Sequence, residues 1–70
     1  MLTIEPVRRL FKKAGAKRVS DEAARALAKL LEDKAKLIAA EAQKLSDLSN
    51  RRTVLKKDIK MARRVVEGRD

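Results

Sequence analysis

The sequence predicts an all-α protein, and three observations support that class. Two glycines and one proline are the only residues of these helix-breaking types among 70 positions. Alanine, leucine, lysine, arginine and glutamate, which all favour helices, dominate the remainder. Apolar residues recur at intervals of three and four along most of the chain, as they do on one face of a helix. The pattern divides a single domain, residues 1–70, into a short, a long and a short helix.

The first helix is predicted over about residues 5–14. Pro6 suits the first helical position, and apolar side chains follow at helical spacing. Gly15 supplies the stop, and lysines occupy the last turn, where cations interact favourably with the helix dipole. Phe11 is the single aromatic residue and lies on the apolar face, so it is predicted to be a core residue. The opposite face carries Arg8, Arg9, Lys12 and Lys13.

The second helix is predicted over about residues 20–48, with Ser20 as its N-cap and two acids in its first turn. A helix of that length extends roughly 43 Å, which exceeds the width of a globule of this mass. Two short flanking helices cannot cover its whole apolar stripe, so a second copy is predicted to cover it in a two-fold homodimer. The stripe comprises Leu27, Leu30, Leu31, Ala35, Ile38, Ala42, Leu45 and Leu48.

The third helix is predicted over about residues 56–67, with Gly68 just beyond its end. Leu55, Ile59, Ala62 and Val66 share one face at helical spacing.

The charge of the chain is large and lies mainly at its two ends. Nineteen basic and ten acidic residues give a net charge of +9. Residues 1–19 and 51–70 each carry +5, whereas residues 20–50 carry −1. A field of this size and sign predicts a polyanionic partner. Because single-strand and RNA binders use aromatic stacking platforms, which a single phenylalanine does not supply, the partner is predicted to be duplex DNA.

Composition alone argues against several function classes. The chain has no His, Cys, Tyr or Trp, so thiolate and imidazole chemistry are absent and we predict no enzyme, cofactor or small-molecule substrate. No segment has the apolar length of a signal peptide or membrane span, so the protein is predicted to be cytoplasmic and associated with the chromosome. A metal site among Glu32, Asp33 and Glu41 is an alternative to surface pairing along the helix, and pairing is favoured. DNA contact and a solvated surface have equal weight for Lys29, Lys34, Lys36 and Lys44.

Two motifs flank the long helix: AGAKRVSDEA at residues 14–23 and RRTVLKKDI at residues 51–59. With these motifs at their spacing, the chain from Ile4 to Val65 closely resembles the archaeal histones. The resemblance implies the histone fold, in which two chains clasp head to tail in a handshake homodimer. It also implies that the protein binds, bends or wraps, and compacts double-stranded DNA with little sequence specificity, as histones do through groove-facing arginines and backbone contacts.

The resemblance also assigns roles to residues of the two loops. Arg18 matches the family's arginine that enters the minor groove, and Thr53 matches the threonine of the partner chain that orients it. Arg52 matches a basic position beside a phosphate, to which the start of the third helix near Lys56 also offers backbone donors. Arg51 and Asp58 match the family's structural salt bridge within one chain. The implied DNA-binding residues are Arg9, Lys12, Arg18, Arg52, Thr53 and Lys56.

The chain departs from the family pattern just before the second motif. Asn50 stands where the family often has glycine, and asparagine tolerates a left-handed conformation. Leu48 stands where the family has the histidine that, with the acid matched by Asp58, joins dimers into tetramers or higher stacked assemblies on DNA. Here Leu45, Leu48 and Met61, beside Asp58, offer a more apolar dimer–dimer contact, or the contact is lost. Gly15 keeps the family's residue at the position where stacked dimers touch.

Three alternatives remain beside a DNA-wrapping protein. A histone-fold dimer that coats or bridges DNA without wrapping it would follow from loss of the contact at Leu48. A sequence-specific helix-turn-helix regulator needs a recognition helix after a tight turn, and a middle helix of about 29 residues argues against it. A histone-fold module that pairs with a different subunit would bind DNA only secondarily.

Overall fold

The computed structural model describes residues 3–68, and three helices account for most of them. The helices are α1 (Ile4–Lys13), α2 (Asp21–Leu48) and α3 (Lys56–Glu67), and no strand occurs within residues 3–68. The predicted all-α class and the order of short, long and short helices are therefore confirmed. None of the three helices combines the length and apolar character that crossing a membrane requires, within the part of the chain described.

Helix α1 ends at the glycine that the sequence marks as a stop. The Gly15 N–H donates to the Lys12 carbonyl at 3.0 Å, and the Ala16 N–H donates to the Phe11 carbonyl at 3.0 Å. These two hydrogen bonds form a Schellman motif, which needs a left-handed residue at its turn. Gly15 has a φ of 96°, a conformation that side chains with a Cβ rarely adopt.

Helix α2 is bounded by a serine cap and a second Schellman motif. The Ala23 N–H donates to Ser20 Oγ at 3.1 Å, which satisfies one of the free donors of the first turn. At the other end, the N–H of Asn50 donates to the Asp47 carbonyl and that of Arg51 to the Ser46 carbonyl, both at 3.0 Å. Asn50 has a φ of 56°, so asparagine takes the left-handed position here as expected.

The chain divides into two compact units, Met1–Asp33 and Lys34–Asp70, whose boundary falls within α2. In the first unit, Val7, Ala24 and Ala28 are buried. Phe11 packs against them and is partly exposed, with Ile4, Val19, Leu27 and Leu31. In the second unit, the buried residues are Ala42, Ser46, Asp58 and Ala62. Both cores are therefore built largely from alanine, which contributes little apolar area per residue.

Several large apolar side chains of α2 remain exposed in the single chain. Leu30 is 65% exposed and Leu37 is 56% exposed. Leu30 belongs to the stripe predicted from the sequence, whereas Leu37 was not included in it. Because these residues lie seven positions apart, they share one side of the helix. The second chain that would cover this side stays a prediction.

Candidate nucleic-acid interface

Loop 1, residues 14–20, opens on a basic cavity of about 600 Å³ in the first unit. Its charged lining residues are Glu5, Arg8, Lys12, Lys17 and Arg18. Lys12 and Arg18, two of the six residues assigned to DNA, are therefore brought to one cavity. Four cations beside one carboxylate create a positive potential that suits an anionic group such as phosphate. Arg9 is exposed on α1 and does not line this cavity.

Arg8 holds the loop 1 backbone in place, a role that was not predicted from the sequence. Its Nη1 donates to the Val19 carbonyl at 3.0 Å, and its Nη2 pairs with the Asp21 carboxylate. Its Nε lies 3.9 Å from the Glu5 carboxylate. The side chain is half-buried, whereas Arg18 is exposed. One member of the basic face of α1 thus binds the loop, while Arg18 in the loop itself faces solvent.

Loop 2, residues 49–55, is tied to α3 by a bidentate ion pair. Arg51 Nη1 and Nη2 donate to Asp58 Oδ2 and Oδ1, each at 2.8 Å. The Leu55 N–H also donates to Asp58 Oδ2 at 2.8 Å, so the carboxylate closes the first turn of α3. Only 5% of Asp58 is exposed. A buried carboxylate with this many donors is fully satisfied, and paired forks of this geometry are among the stronger hydrogen bonds in proteins.

The same contacts shift the titration of both groups. The Arg51 hydrogen bond and then the Leu55 N–H lower the pKa of Asp58 from 3.8 to about 2, although burial opposes the shift. The hydrogen bond to Asp58 raises the pKa of Arg51 above its ordinary value. Asp58 therefore carries a full negative charge at any pH near neutrality, and the loop is held by two permanent charges.

The lowered pKa of Asp58 predicts a specific window of acid sensitivity. Since the unfolded chain takes up this proton near pH 3.8 and the folded chain near pH 2, the pair's stabilisation is complete above about pH 4 and is lost as the pH falls toward 2. Melting temperatures by circular dichroism between pH 2 and 6 measure the effect. Asp58→Asn should melt lower at neutral pH and show a flatter slope between pH 4 and 2. Asp33→Asn, an exposed control, should keep the wild-type slope, and an unchanged slope in Asp58→Asn would contradict the prediction.

Loop 2 presents its remaining polar residues to solvent. Arg52 and Thr53 are exposed, as is Lys56 at the first position of α3. The Thr53 carbonyl points the other way and accepts from Arg51 Nη1 at 2.9 Å. The buried Ser46 also reaches this loop, because its Oγ lies 2.9 Å from the Arg51 carbonyl. Ser46 was not predicted from the sequence, since a lone serine in a helix carries no signal of burial.

Helix α3 carries an uncompensated positive charge. Asp58 is engaged by Arg51, and Glu67 pairs with Lys34 Nζ at 3.1 Å. Both acids of α3 are thus used by cations from outside the helix. Within residues 3–68, no ion pair involves the five cations of α3, which are Lys56, Lys57, Lys60, Arg63 and Arg64. Loop 2 therefore adjoins a strongly basic helix.

The four residues assigned to a dimer–dimer contact line one open groove in the second unit. The groove measures about 260 Å³ and is lined by Leu45, Leu48, Asp58 and Met61, together with Ser49, Arg51 and Lys57. Leu48 is 81% exposed and Met61 is 49% exposed. Because Asp58 is committed to Arg51, the groups that the groove offers to another molecule are mainly apolar.

The acid-rich middle of α2 forms ordinary surface pairs. Lys29 Nζ lies 2.9 Å from Asp33 Oδ1, one helical turn away. Lys34 is paired with Glu67. No group of three or more potential metal-binding side chains occurs among the residues that the structure describes. Lys29 and Lys34 therefore have protein partners, unlike the cations of the two loops.

Comparison with known proteins gives one family and two curated relatives. The family model for the histone-like transcription factors (CBF/NF-Y) and archaeal histones matches residues 1–62. The chain is 43% identical over 61 residues to the archaeal histone HAN1 of Thermococcus zilligii, covering 87% of this chain and 91% of that protein. It is 41% identical over 63 residues to the probable archaeal histone 3 of Methanocaldococcus jannaschii, covering 90% of this chain and 94% of the relative.

Proposed function

Because the chain belongs to the family of histone-like transcription factors (CBF/NF-Y) and archaeal histones, we propose that it is an architectural DNA-binding protein of the chromosome. It binds duplex DNA with little sequence preference and bends and compacts it. The observation that carries this proposal is the state of the loop cations. Arg18, Arg52 and Lys56 are exposed and form no ion pair within residues 3–68, while Arg8 and Arg51 beside them hold the loops.

The binding unit in this proposal is a head-to-tail homodimer. The exposed Leu30 and Leu37 of α2 provide an apolar surface that a second α2 can cover. Covering such side chains stabilises a protein by about 1.5–3 kcal/mol for each one fully buried. The alanine-rich cores of the single chain need this contribution. In the handshake, loop 1 of one chain lies beside loop 2 of the other, so each dimer has two paired-loop DNA sites.

At each paired-loop site, one arginine enters the minor groove and the surrounding groups contact phosphates. Arg18 is the groove residue, and Thr53 of the second chain orients it. Arg9, Lys12, Arg52 and Lys56 neutralise phosphates, and the start of α3 adds backbone donors and a positive dipole. None of these contacts reads a base, so the binding energy comes mainly from counterion release.

This mode of binding predicts a steep dependence on salt and a weak dependence on sequence. A dimer that makes at least six phosphate contacts should lose about a thousandfold in affinity between 50 and 200 mM salt. Fluorescence anisotropy with two unrelated duplexes of equal length, each over the same salt series, measures both dependences. Equal affinities for the two duplexes support the proposal. A strong preference for one duplex at moderate salt would instead favour a sequence-specific regulator.

Dimers associate further through the groove at Leu48. Leu48 protrudes beside an apolar groove that contains Leu45 and Met61, so a two-fold related copy can insert its own Leu48 reciprocally. An apolar contact of this kind replaces the charged one that the family's histidine and acid form. Tetramers and longer stacked assemblies on DNA follow from it. Without this contact, single dimers would coat or bridge DNA.

A further inference from the structure

Ser46 is the buried polar side chain of the second unit that the DNA-binding account leaves unused. It lies in the last turn of α2 and is 0% exposed. Its Oγ lies 2.9 Å from the Arg51 carbonyl and 3.1 Å from the Thr53 carbonyl. Its own carbonyl accepts the Arg51 N–H at 3.0 Å. Both the backbone and the side chain of Ser46 therefore hold loop 2.

The hydroxyl is not needed to form or end the helix. Alanine favours a helix more than serine does, and the Schellman motif uses only backbone groups. A serine inside a helix commonly bonds back to the carbonyl four residues earlier. Here the hydroxyl instead reaches forward, five and seven residues along the chain, into the loop. Its contribution therefore concerns the conformation of loop 2.

The two carbonyls that Ser46 contacts are those on either side of Arg52. The Arg51 carbonyl precedes Arg52, and the Thr53 carbonyl follows it and also accepts from Arg51 Nη1 at 2.9 Å. With both flanking carbonyls turned inward, the exposed side chain of Arg52 has a fixed backbone from which to project. A fixed loop loses less conformational entropy on binding than a mobile one.

We propose that Ser46 is a positioning residue for DNA bending, acting through Arg52 and Thr53. The inference rests on the proposed function, because it assigns the two loop residues to DNA. It adds a residue within the helix, away from the DNA surface, whose hydroxyl sets how well loop 2 engages the duplex.

Circularisation of a short duplex by ligase, at saturating protein, tests the role of Ser46. Ser46→Ala should lower the circularisation rate by about fivefold, the effect of losing one hydrogen bond. Ser49→Ala, the same change at an exposed loop position, should leave the rate unchanged. In a chain that already carries Arg52→Ala and Thr53→Ala, Ser46→Ala should cause no further loss, because the residues it positions are gone. A merely structural role would produce the same loss in both backgrounds.

The inference is overturned if Ser46→Ala matches Ser49→Ala, or if its effect persists in the Arg52→Ala, Thr53→Ala background. If Ser46→Ala is not folded by circular dichroism, Ser46→Cys takes its place, because a thiol has a similar shape and donates only weakly. The same two comparisons then decide. If the wild-type protein itself fails to circularise DNA, the proposed function fails. If the wild-type protein succeeds and the serine variants behave alike, only the inference about Ser46 fails.

Discussion

Replacing Arg18 with alanine is expected to lower the circularisation of short DNA by about tenfold while leaving the fold intact, since groove-facing arginines are central to DNA deformation by histones. Arg18 is exposed in loop 1, and within residues 3–68 it forms no ion pair. Its neighbour Arg8 holds the loop through Val19 and Asp21. Removing Arg18 therefore removes a DNA contact without removing an intramolecular one. The melting temperature of the variant should stay within a degree or two of wild type, as for most surface substitutions.

The matched control for Arg18→Ala is Arg25→Ala. Arg25 is also exposed and loses the same charge, but it lies on α2 outside both loops. The net charge of the two variants is equal, so a general electrostatic effect would lower circularisation in both. A rate in Arg18→Ala equal to that in Arg25→Ala would show that Arg18 does not enter the groove.

Replacing Leu48 with lysine is expected to stop assembly at the dimer. Leu48 lines the groove with Leu45 and Met61, and the groove already contains the cations Arg51 and Lys57. A lysine at this position would bring like charges together across a two-fold contact and remove the apolar side chain that fills the groove. Because Leu48 is 81% exposed in the single chain, the substitution should not disturb the fold. Leu48→Met, which keeps an apolar side chain of similar volume, should assemble as wild type does.

The helices could be predicted because their ends have local chemical signals. Gly15 and Asn50 both adopt left-handed conformations, and Ser20 caps the start of α2. Each signal acts over a few residues, so it is readable without the fold. The Arg51 and Asp58 pair is similarly local, seven positions apart, and the resemblance to the archaeal histones identified it.

The features that were not predicted from the sequence depend on contacts across the chain. Arg8 binds Asp21, thirteen residues away, and a basic residue on a basic face gives no sign of such a partner. Ser46 is buried beneath loop 2, where a serine in a helix suggests exposure. Leu37 was left out of the apolar stripe because the stripe follows one face of α2, whereas Leu30 and Leu37 lie on a neighbouring one. Periodicity identifies the main face of a helix but not a second apolar face.

Nuclease digestion of long DNA saturated with the protein tests the central claim most directly. If the protein is a histone-like dimer that binds and organises DNA along its length, digestion should leave protected fragments whose lengths rise in steps of one dimer's footprint. Leu48→Met should give the same series, and Leu48→Lys should give only the shortest fragment. Absence of any protected fragment with the wild-type protein, at a salt concentration where it is folded and in excess, would contradict the account.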